Sequence, residues 1–378
     1  MGSVLRRGRR PANGYSRPVL SRTRIAVVAV VVLALVVVAG AAVGGTLVWH
    51  RLHRSPIADA LHRVPASSLR VAFTDWSVVR KALHSRIGQD PSDDAVTSFM
   101  TKAYDSDFSA ASSIDDSAVA LQKYYGFSPA NAQWEAYAQG KEGAAMVLKV
   151  ADGADFSVLA ANLRTAGYKK PKKDDGVWNG GVDVVAAIDP TISPELQYVV
   201  LLKKQGLVVS SDEETYAQSA AAAAKGDAKS LASTGRVDGL DDTLGHTANA
   251  ELWSGDFACE DLAMSQADDD AQDQADALVK KAGGVTPVSG LVMAMLPNRT
   301  LRVGEHFEDD GEARRNLRPR ARLAVGTAVG RGGDFSDSFK LTRSRTSGST
   351  VLLDLVPRTK TGYVLSSVYD GPVLFATC

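Results

Sequence analysis

The sequence predicts an α+β fold, antiparallel sheets with flanking helices, preceded by one amino-terminal transmembrane helix. Three observations carry this expectation. Residues 25–49, from Ile25 to Trp49, form an uncharged and mostly apolar run. Alternating apolar segments come in close pairs, 198–203 with 207–210 and 291–296 with 301–307, spaced as hairpins. Between the pairs lie segments that open on Asp or Ser and close on Gly, the ordinary signals of a helix start and stop. Hairpins beside helices favour antiparallel sheets covered on one face.

The chain opens with a basic tail, residues 1–24, holding seven arginines (Arg6, Arg7, Arg9, Arg10, Arg17, Arg22 and Arg24) and no acidic residue. As a helix, the 25 residues that follow span roughly 37 Å, enough for a tilted bilayer crossing. The positive-inside bias puts the tail in the cytoplasm and everything beyond His50 outside. The expectation is a single-pass signal anchor in the cell membrane, with an extracytoplasmic carboxyl-terminal domain in the cell envelope. A cleaved signal peptide is the alternative. Its apolar region is normally only about 7–15 residues long, although Ala39-Gly40-Ala41 offers a small-residue cleavage site. The whole chain is formally neutral, so with +7 in the tail the remainder carries −7, which argues against nucleic-acid binding.

Cys259 and Cys378 are the only cysteines, and both fall on the exported side. A disulfide between them is the default in an oxidising compartment. Two free thiols or half of a metal site are the alternatives; with no nearby His or third Cys, no metal is expected.

Residues 50–68 read as a short stalk, partly helical from Pro56 to Leu61. In the first strand and helical region, 69–141, Leu69, Val71 and Phe73 alternate with Arg70, Ala72 and Thr74 as a half-buried strand. Asp75 or Ser77 then caps a helix towards Ile87, and the stretch to Gln139 reads as irregular helix with a fresh start at Pro129. A first α+β unit, 142–246, has a strand at 144–150. Asp155 caps a helix with Phe156, Leu159 and Leu163 on one face, stopped by Gly167. A hairpin around Gly206 follows, then a helix with Ser211 and Glu214 spaced as a capping box and Gly226 as its stop. A second α+β unit, 247–378, has a strand at 248–254 and a helix lined by Ala275, Leu278, Val279 and Ala282, closed by Gly283. The 291–307 hairpin and an Arg-rich helix come next. A carboxyl-terminal hairpin turning at Ser347-Gly348, a short helix and a strand at 373–377 complete the unit. The order predicts two related strand-helix-hairpin-helix units.

Val64-Pro65-Ala66-Ser67-Ser68-Leu69, Gly206-Leu207-Val208-Val209-Ser210-Ser211 and Lys229-Ser230-Leu231-Ala232 are short structural motifs. In them the chain resembles an uncharacterised bacterial, actinobacterial-type domain-of-unknown-function family of single-span, membrane-anchored proteins. The resemblance covers roughly residues 60–310, implies an anchored extracytoplasmic domain, and supplies no catalytic residues. It does not extend to the tail ending at Cys378.

Two clusters are candidate recognition surfaces. Tyr124, Tyr125, Phe127, Trp134 and Tyr137 concentrate aromatic area of the kind that lines ligand grooves, interfaces and ordinary cores alike. Arg314, Arg315, Arg318 and Arg322, with Arg320 among them, supply bidentate donors suited to carboxylate or phosphate. Glu305, Glu308, Asp309, Asp310 and Glu312 upstream offer them salt-bridge partners instead. Asp268, Asp269, Asp270, Asp273 and Asp276 lack the bent glycine loop of a calcium site and read as a solvated helix start. The glycines at 326, 330, 332 and 333 have the wrong spacing for a dinucleotide fingerprint. His246 and His306 stand near no nucleophile motif. The sequence therefore predicts a non-enzymatic, membrane-anchored cell-envelope protein. Its exported domain would bind a partner protein or an envelope ligand, lipid or anionic polymer, without a cofactor. An exported hydrolase acting on envelope material and a structural assembly subunit are the alternatives.

Overall fold

Alternating side chains build the sheet, and caps place the helices on it. The computed structural model describes residues 54–378, apart from 263, 265 and 266. Its strands are β1 (Arg70–Thr74), β2 (Trp134–Gly140), β3 (Gly143–Lys149), β4 (Val177–Asn179), β5 (Tyr198–Leu202) and β6 (Leu207–Ser211), then β7 (Asn249–Ser254), β8 (Gly290–Met295), β9 (Leu301–His306), β10 (Phe339–Ser347) and β11 (Thr350–Pro357). They join in one 11-stranded antiparallel sheet, in the order β10-β11-β9-β8-β7-β1-β2-β3-β6-β5-β4.

Residues in direct antiparallel register point to the same face. One row therefore crosses the whole sheet: Val177, Val200, Val209, Val147, Ala136, Phe73, Ala250, Ala294, Arg302, Asp354, Arg343. It is apolar as far as β8 and charged from β9 outward. The helices Pro56–Leu61, Glu214–Lys225 and Leu240–Leu244 cover the apolar part of this face. The opposite face carries a larger layer, in which the helices Trp76–Ala82, Asp93–Asp105, Ala118–Tyr125, Phe156–Thr165, Asp269–Ala282 and Asp310–Leu323 bury Trp76, Phe99, Leu121, Leu159, Ala275 and Ala313. Most of these helices begin where the sequence places a cap. Asp75 accepts from the Val78 N–H at 3.0 Å, Asp155 from Ser157 at 2.8 Å and Asp268 from Ala271 at 2.8 Å. The Ser211/Glu214 capping box does not form. That helix starts at Glu214, and the Ser211 hydroxyl instead accepts from the Glu213 N–H and donates to the Ala144 carbonyl.

The sheet is an internal duplication about its central pair. β1 and β7 lie side by side. Each is followed by helices, a hairpin (β2-β3 or β8-β9), a helix (Phe156–Thr165 or Asp310–Leu323) and a second hairpin. The second strand of that last hairpin lies inside the first: β6 joins β3, and β11 joins β9. The expected repeat set 144–150 against 248–254, which equates β3 with β7. The observed repeat is longer and equates β1 with β7.

Two expectations about the fold are corrected. The separate antiparallel sheets of two units are a single sheet, because β1 hydrogen-bonds β2 on one side and β7 on the other. Accordingly, Ser55–Cys378 forms one compact unit that runs through the expected boundary at 246/247. The transmembrane assignment, and with it the single-pass, signal-anchor and membrane descriptions, finds no helix to carry it. Among the described residues none is long and apolar enough to cross a membrane. The longest, Asp269–Ala282 and Asp310–Leu323, have 14 residues each, and at ~1.5 Å per residue they fall well short of a hydrocarbon core. The run from Ile25 to Trp49 lies outside the described residues. At the other end, the expected strand 373–377 is a 3-10 turn, Leu374–Ala376. The Phe375 and Thr377 carbonyls are taken by the Arg320 guanidinium at 2.7 and 3.0 Å, leaving no ladder for them to join.

Candidate binding groove

One depression in the helical layer lies where three helices meet. Ala118–Tyr125, Phe156–Thr165 and Gly181–Ile188 enclose an open groove of about 600 Å3, lined by Lys123, Tyr124, Asn162, Thr165, Ala166, Asp183, Val184, Ala187 and Ile188. A second depression of about 390 Å3 adjoins it and shares Lys123 and Asn162. Lys123 and Asn162, which line both, form a polar waist between two lobes. The lobes are walled by Tyr124, Val184 and Ile188 on one side of the waist, and by Phe127, Val158 and Leu159 on the other.

The waist is rigidly built. Gly126 ends the Ala118–Tyr125 helix at φ 85°, and the Asn162 amide donates to the Tyr125 carbonyl at 3.1 Å across that corner. A Cβ on residue 126 would meet the Asn162 amide nitrogen at 2.9 Å, so glycine is needed both for the left-handed stop and for the close approach. Lys123 lies over the Tyr124 ring, with its ammonium 5.1 Å from the centroid. Below the floor, the Tyr125 and Tyr168 hydroxyls share a 2.8 Å hydrogen bond, and Tyr168 donates to the Leu196 carbonyl at 2.6 Å.

The structure divides the aromatic cluster. Tyr124 lines one lobe and Phe127 the other, while Tyr125 is buried beneath them. Trp134, on β2, faces the opposite core and packs on Phe73 at 6.3 Å. Tyr137 faces the helical layer, half-buried, and donates to Glu195 at 2.7 Å. The groove residues that the sequence did not signal include Asn162, Asp183, Val184 and Ile188. They come from helices distant in sequence, and the Asp155 cap with its apolar face marked only one of those helices.

The arginine stripe is external. Arg314, Arg315, Arg318 and Arg322 are exposed along the Asp310–Leu323 helix, which continues through Pro319. Arg314 lies 3.5 Å from Asp310, Arg315 lies 3.7 Å from Glu312, and Arg322 donates to the Ala282 carbonyl. Arg320 turns inward, fully buried, 3.6 Å from the equally buried Glu305. Burial pushes the Glu305 carboxyl up to about 7 against the pull of that arginine. Glu135, also fully buried, is pushed up to about 7 by desolvation, although Trp76 Nε1 donates to it at 2.9 Å and the Ser113 N–H at 2.8 Å. Neither carboxyl lines the groove. His306 lies on a strand with Nδ1 3.2 Å from the Thr350 hydroxyl, and His246 is exposed.

A smaller cleft, about 350 Å3, opens at the central strand pair beside Arg70. The Arg70 guanidinium reaches Glu251 at 3.0 Å and stacks 5.4 Å from both the Trp253 and Tyr369 rings, which fastens the two halves of the molecule together. Cys259 and Cys378 form a disulfide. Among the described residues no group of His, Cys, Asp and Glu is arranged to hold a metal ion.

Fold and groove thus define an internally duplicated, single-sheet α+β protein with two adjoining open depressions that share Lys123 and Asn162. Comparison with family models, curated proteins and solved structures finds no match to this chain.

Proposed function

We propose that the chain is an exported binding protein whose Tyr124 groove holds an elongated amphipathic envelope ligand. The observation that carries this reading is the sharing of Lys123 and Asn162 by two adjoining depressions. Apolar walls on both sides of a polar waist suit a ligand with an apolar body and one polar group, held by hydrogen bonds at a fixed point. An exposed Val182, on the helix that flanks one lobe, and an exposed Val158 in the other extend the apolar track to the surface. The Cys259–Cys378 disulfide suits an oxidising, extracytoplasmic location.

Titration of the full-length protein with a fluorescent long-chain fatty acid tests the reading. Saturable binding is expected. Ala187→Trp, which fills one lobe, should weaken it at least tenfold, about 1.4 kcal/mol. Lys123→Ala should weaken binding of the acid more than that of the corresponding alcohol. Absence of saturable binding, or equal affinity in the Ala187→Trp variant, would remove the groove from the function.

A further inference from the structure

The duplication exposes an asymmetry that the groove does not use. Outward from β1 and β7, the register row reads Ala136, Val147, Val209, Val200 in one half and Ala294, Arg302, Asp354, Arg343 in the other. In the first half, the Glu214–Lys225 helix lies over this row with Tyr216, Ala220, Ala221 and Ala224. In the second half, the helix after the hairpin, Leu365–Tyr369, packs Leu365 and Val368 into the other core. The helices that pack on β10 and β11, Asp310–Leu323 and Phe335–Ser338, also belong to that other face. Over β9 and β11 this face is closed, since Arg302 donates to the Thr243 carbonyl of the Leu240–Leu244 helix at 3.1 Å and Asp354 and Leu352 are buried; the edge strand β10, at Arg343, stays exposed.

A β-bulge between Leu341 and Arg343 loads this flank with cations. Phe339 and Leu341 point into the helical core, so Lys340 points away from it. The extra residue at the bulge shifts the alternation, and Arg343 and Arg345 then share the face of Arg302 and Asp354, at its outer edge. Arg302 already forks onto Asp354 at 2.7 and 3.0 Å. No described carboxylate forms an ion pair with Lys340, Arg343 or Arg345. Burial and the nearby Arg343 and Arg302 charges lower the basicity of Arg345, a sign of cations crowded together.

A complementary stripe exists on the opposite side of the same molecule. Along the Asp269–Ala282 helix, Asp269, Asp273 and Asp276 are exposed at i, i+4 and i+7, and none forms an ion pair with a described residue. Arg343 and Arg345 are spaced ~6.7 Å along a strand, and Asp269 and Asp273 ~6 Å along a helix. The spacings match. Because the helix packs on one face of the sheet and the arginines project from the other, the two cannot meet within one chain. β10 against a second β10 would set cation against cation, which disfavours a symmetric edge-to-edge dimer.

We propose that the Lys340/Arg343/Arg345 edge of β10 receives the Asp269–Ala282 helix of a second copy of this chain, in a head-to-tail contact. Such heterologous contacts build rings or open filaments rather than closed two-fold dimers.

Sedimentation velocity of the full-length chain at low ionic strength tests this. Concentration-dependent assembly beyond a dimer is expected, and it should disappear near 1 M salt, where the Debye length is ~3 Å. The Arg343→Asp/Arg345→Asp variant and the Asp273→Arg/Asp276→Arg variant should each lose assembly, and an equimolar mixture of the two should regain it. Because charge reversal at half-buried Arg345 can perturb the edge, Lys340→Gln/Arg343→Gln serves as a milder variant, expected to weaken assembly about tenfold. A monomer at all concentrations, assembly that persists in the arginine variants, or a mixture that stays monomeric would overturn the contact. Inorganic polyphosphate binding to the same arginines with no self-assembly would reassign the flank to an anionic polymer.

Discussion

Glu135 shows how much a single buried group decides. It sits on β2, fully enclosed, with donors from Trp76, Ser112 and the Ser113 N–H aimed at its carboxylate and no ion pair to a described cation. Desolvation wins over the hydrogen bonds, and its folded-state value rises from 4.5 to about 7. A carboxyl raised on folding binds its proton more tightly in the native state, so its stabilising effect is complete below the unfolded value of 4.5 and is lost as pH rises through about 7. Urea unfolding should therefore give a midpoint that falls between pH ~5 and ~7, with a slope of at most about 1.4 kcal/mol per pH unit for each such group. Glu135→Gln should flatten part of that slope and leave the part due to Glu305. A midpoint independent of pH across this interval would contradict the assignment. Nothing in the sequence marked Glu135, because a lone Glu among Ala and aromatic residues reads as an exposed position. Arg320 was visible, but as one of a surface row; only the packing of its helix turns it inward.

Among the elements, the Ala118–Tyr125 helix and its Gly126 stop position the waist of the groove. Gly126→Ala would force a side chain into left-handed backbone and onto the Asn162 amide, so a loss of about 1–2 kcal/mol in unfolding free energy is expected. Ligand affinity should fall with it as Asn162 is displaced. Gly153→Ala, where φ is also positive but nothing lies within 4 Å of the added Cβ, is the control and should cost less. Equal losses at the two positions would show that crowding at Asn162 is unimportant. The helices with Asp caps, and the hairpins at Gly206 and Ser347-Gly348, were legible because short-range chemistry fixes them. β2 was not. Its inward positions on one face are Trp134, Ala136 and Ala138, and alanine gives almost no alternation signal, so the segment read as irregular helix. Missing β2 also displaced the repeat, since without it the strand at 144–150 looked like the start of a unit.

For the molecule as a whole, the carboxyl-terminal tail is fastened twice. The disulfide joins Cys378 to Cys259 across 119 residues, and Arg320 holds the carbonyls of Phe375 and Thr377. Loop-closure entropy gives such a bridge about 5 kcal/mol before strain is subtracted. Cys259→Ser/Cys378→Ser should lower the unfolding free energy by at most that amount and leave the fold intact, because the arginine contacts remain. Protease digestion should then release the tail from the variant before it attacks the sheet. Simultaneous digestion of tail and sheet would mean that the disulfide, not Arg320, holds the carboxyl terminus in place.

The sequence by itself determined the α+β class, the helix starts at Asp75, Asp155 and Asp268, the hairpins from 198 onward and the candidate disulfide pair. Each follows from neighbours within a few residues or, for the cysteines, from there being only two. Tertiary structure decided that one sheet spans both halves, that the aromatic cluster is split between a groove and two cores, and that Arg343 and Arg345 share the face of Arg302 and Asp354. Those outcomes depend on strand order and on a single bulged residue. Register between strands more than a hundred residues apart is set by which faces can be buried together, and no local pattern contains that information.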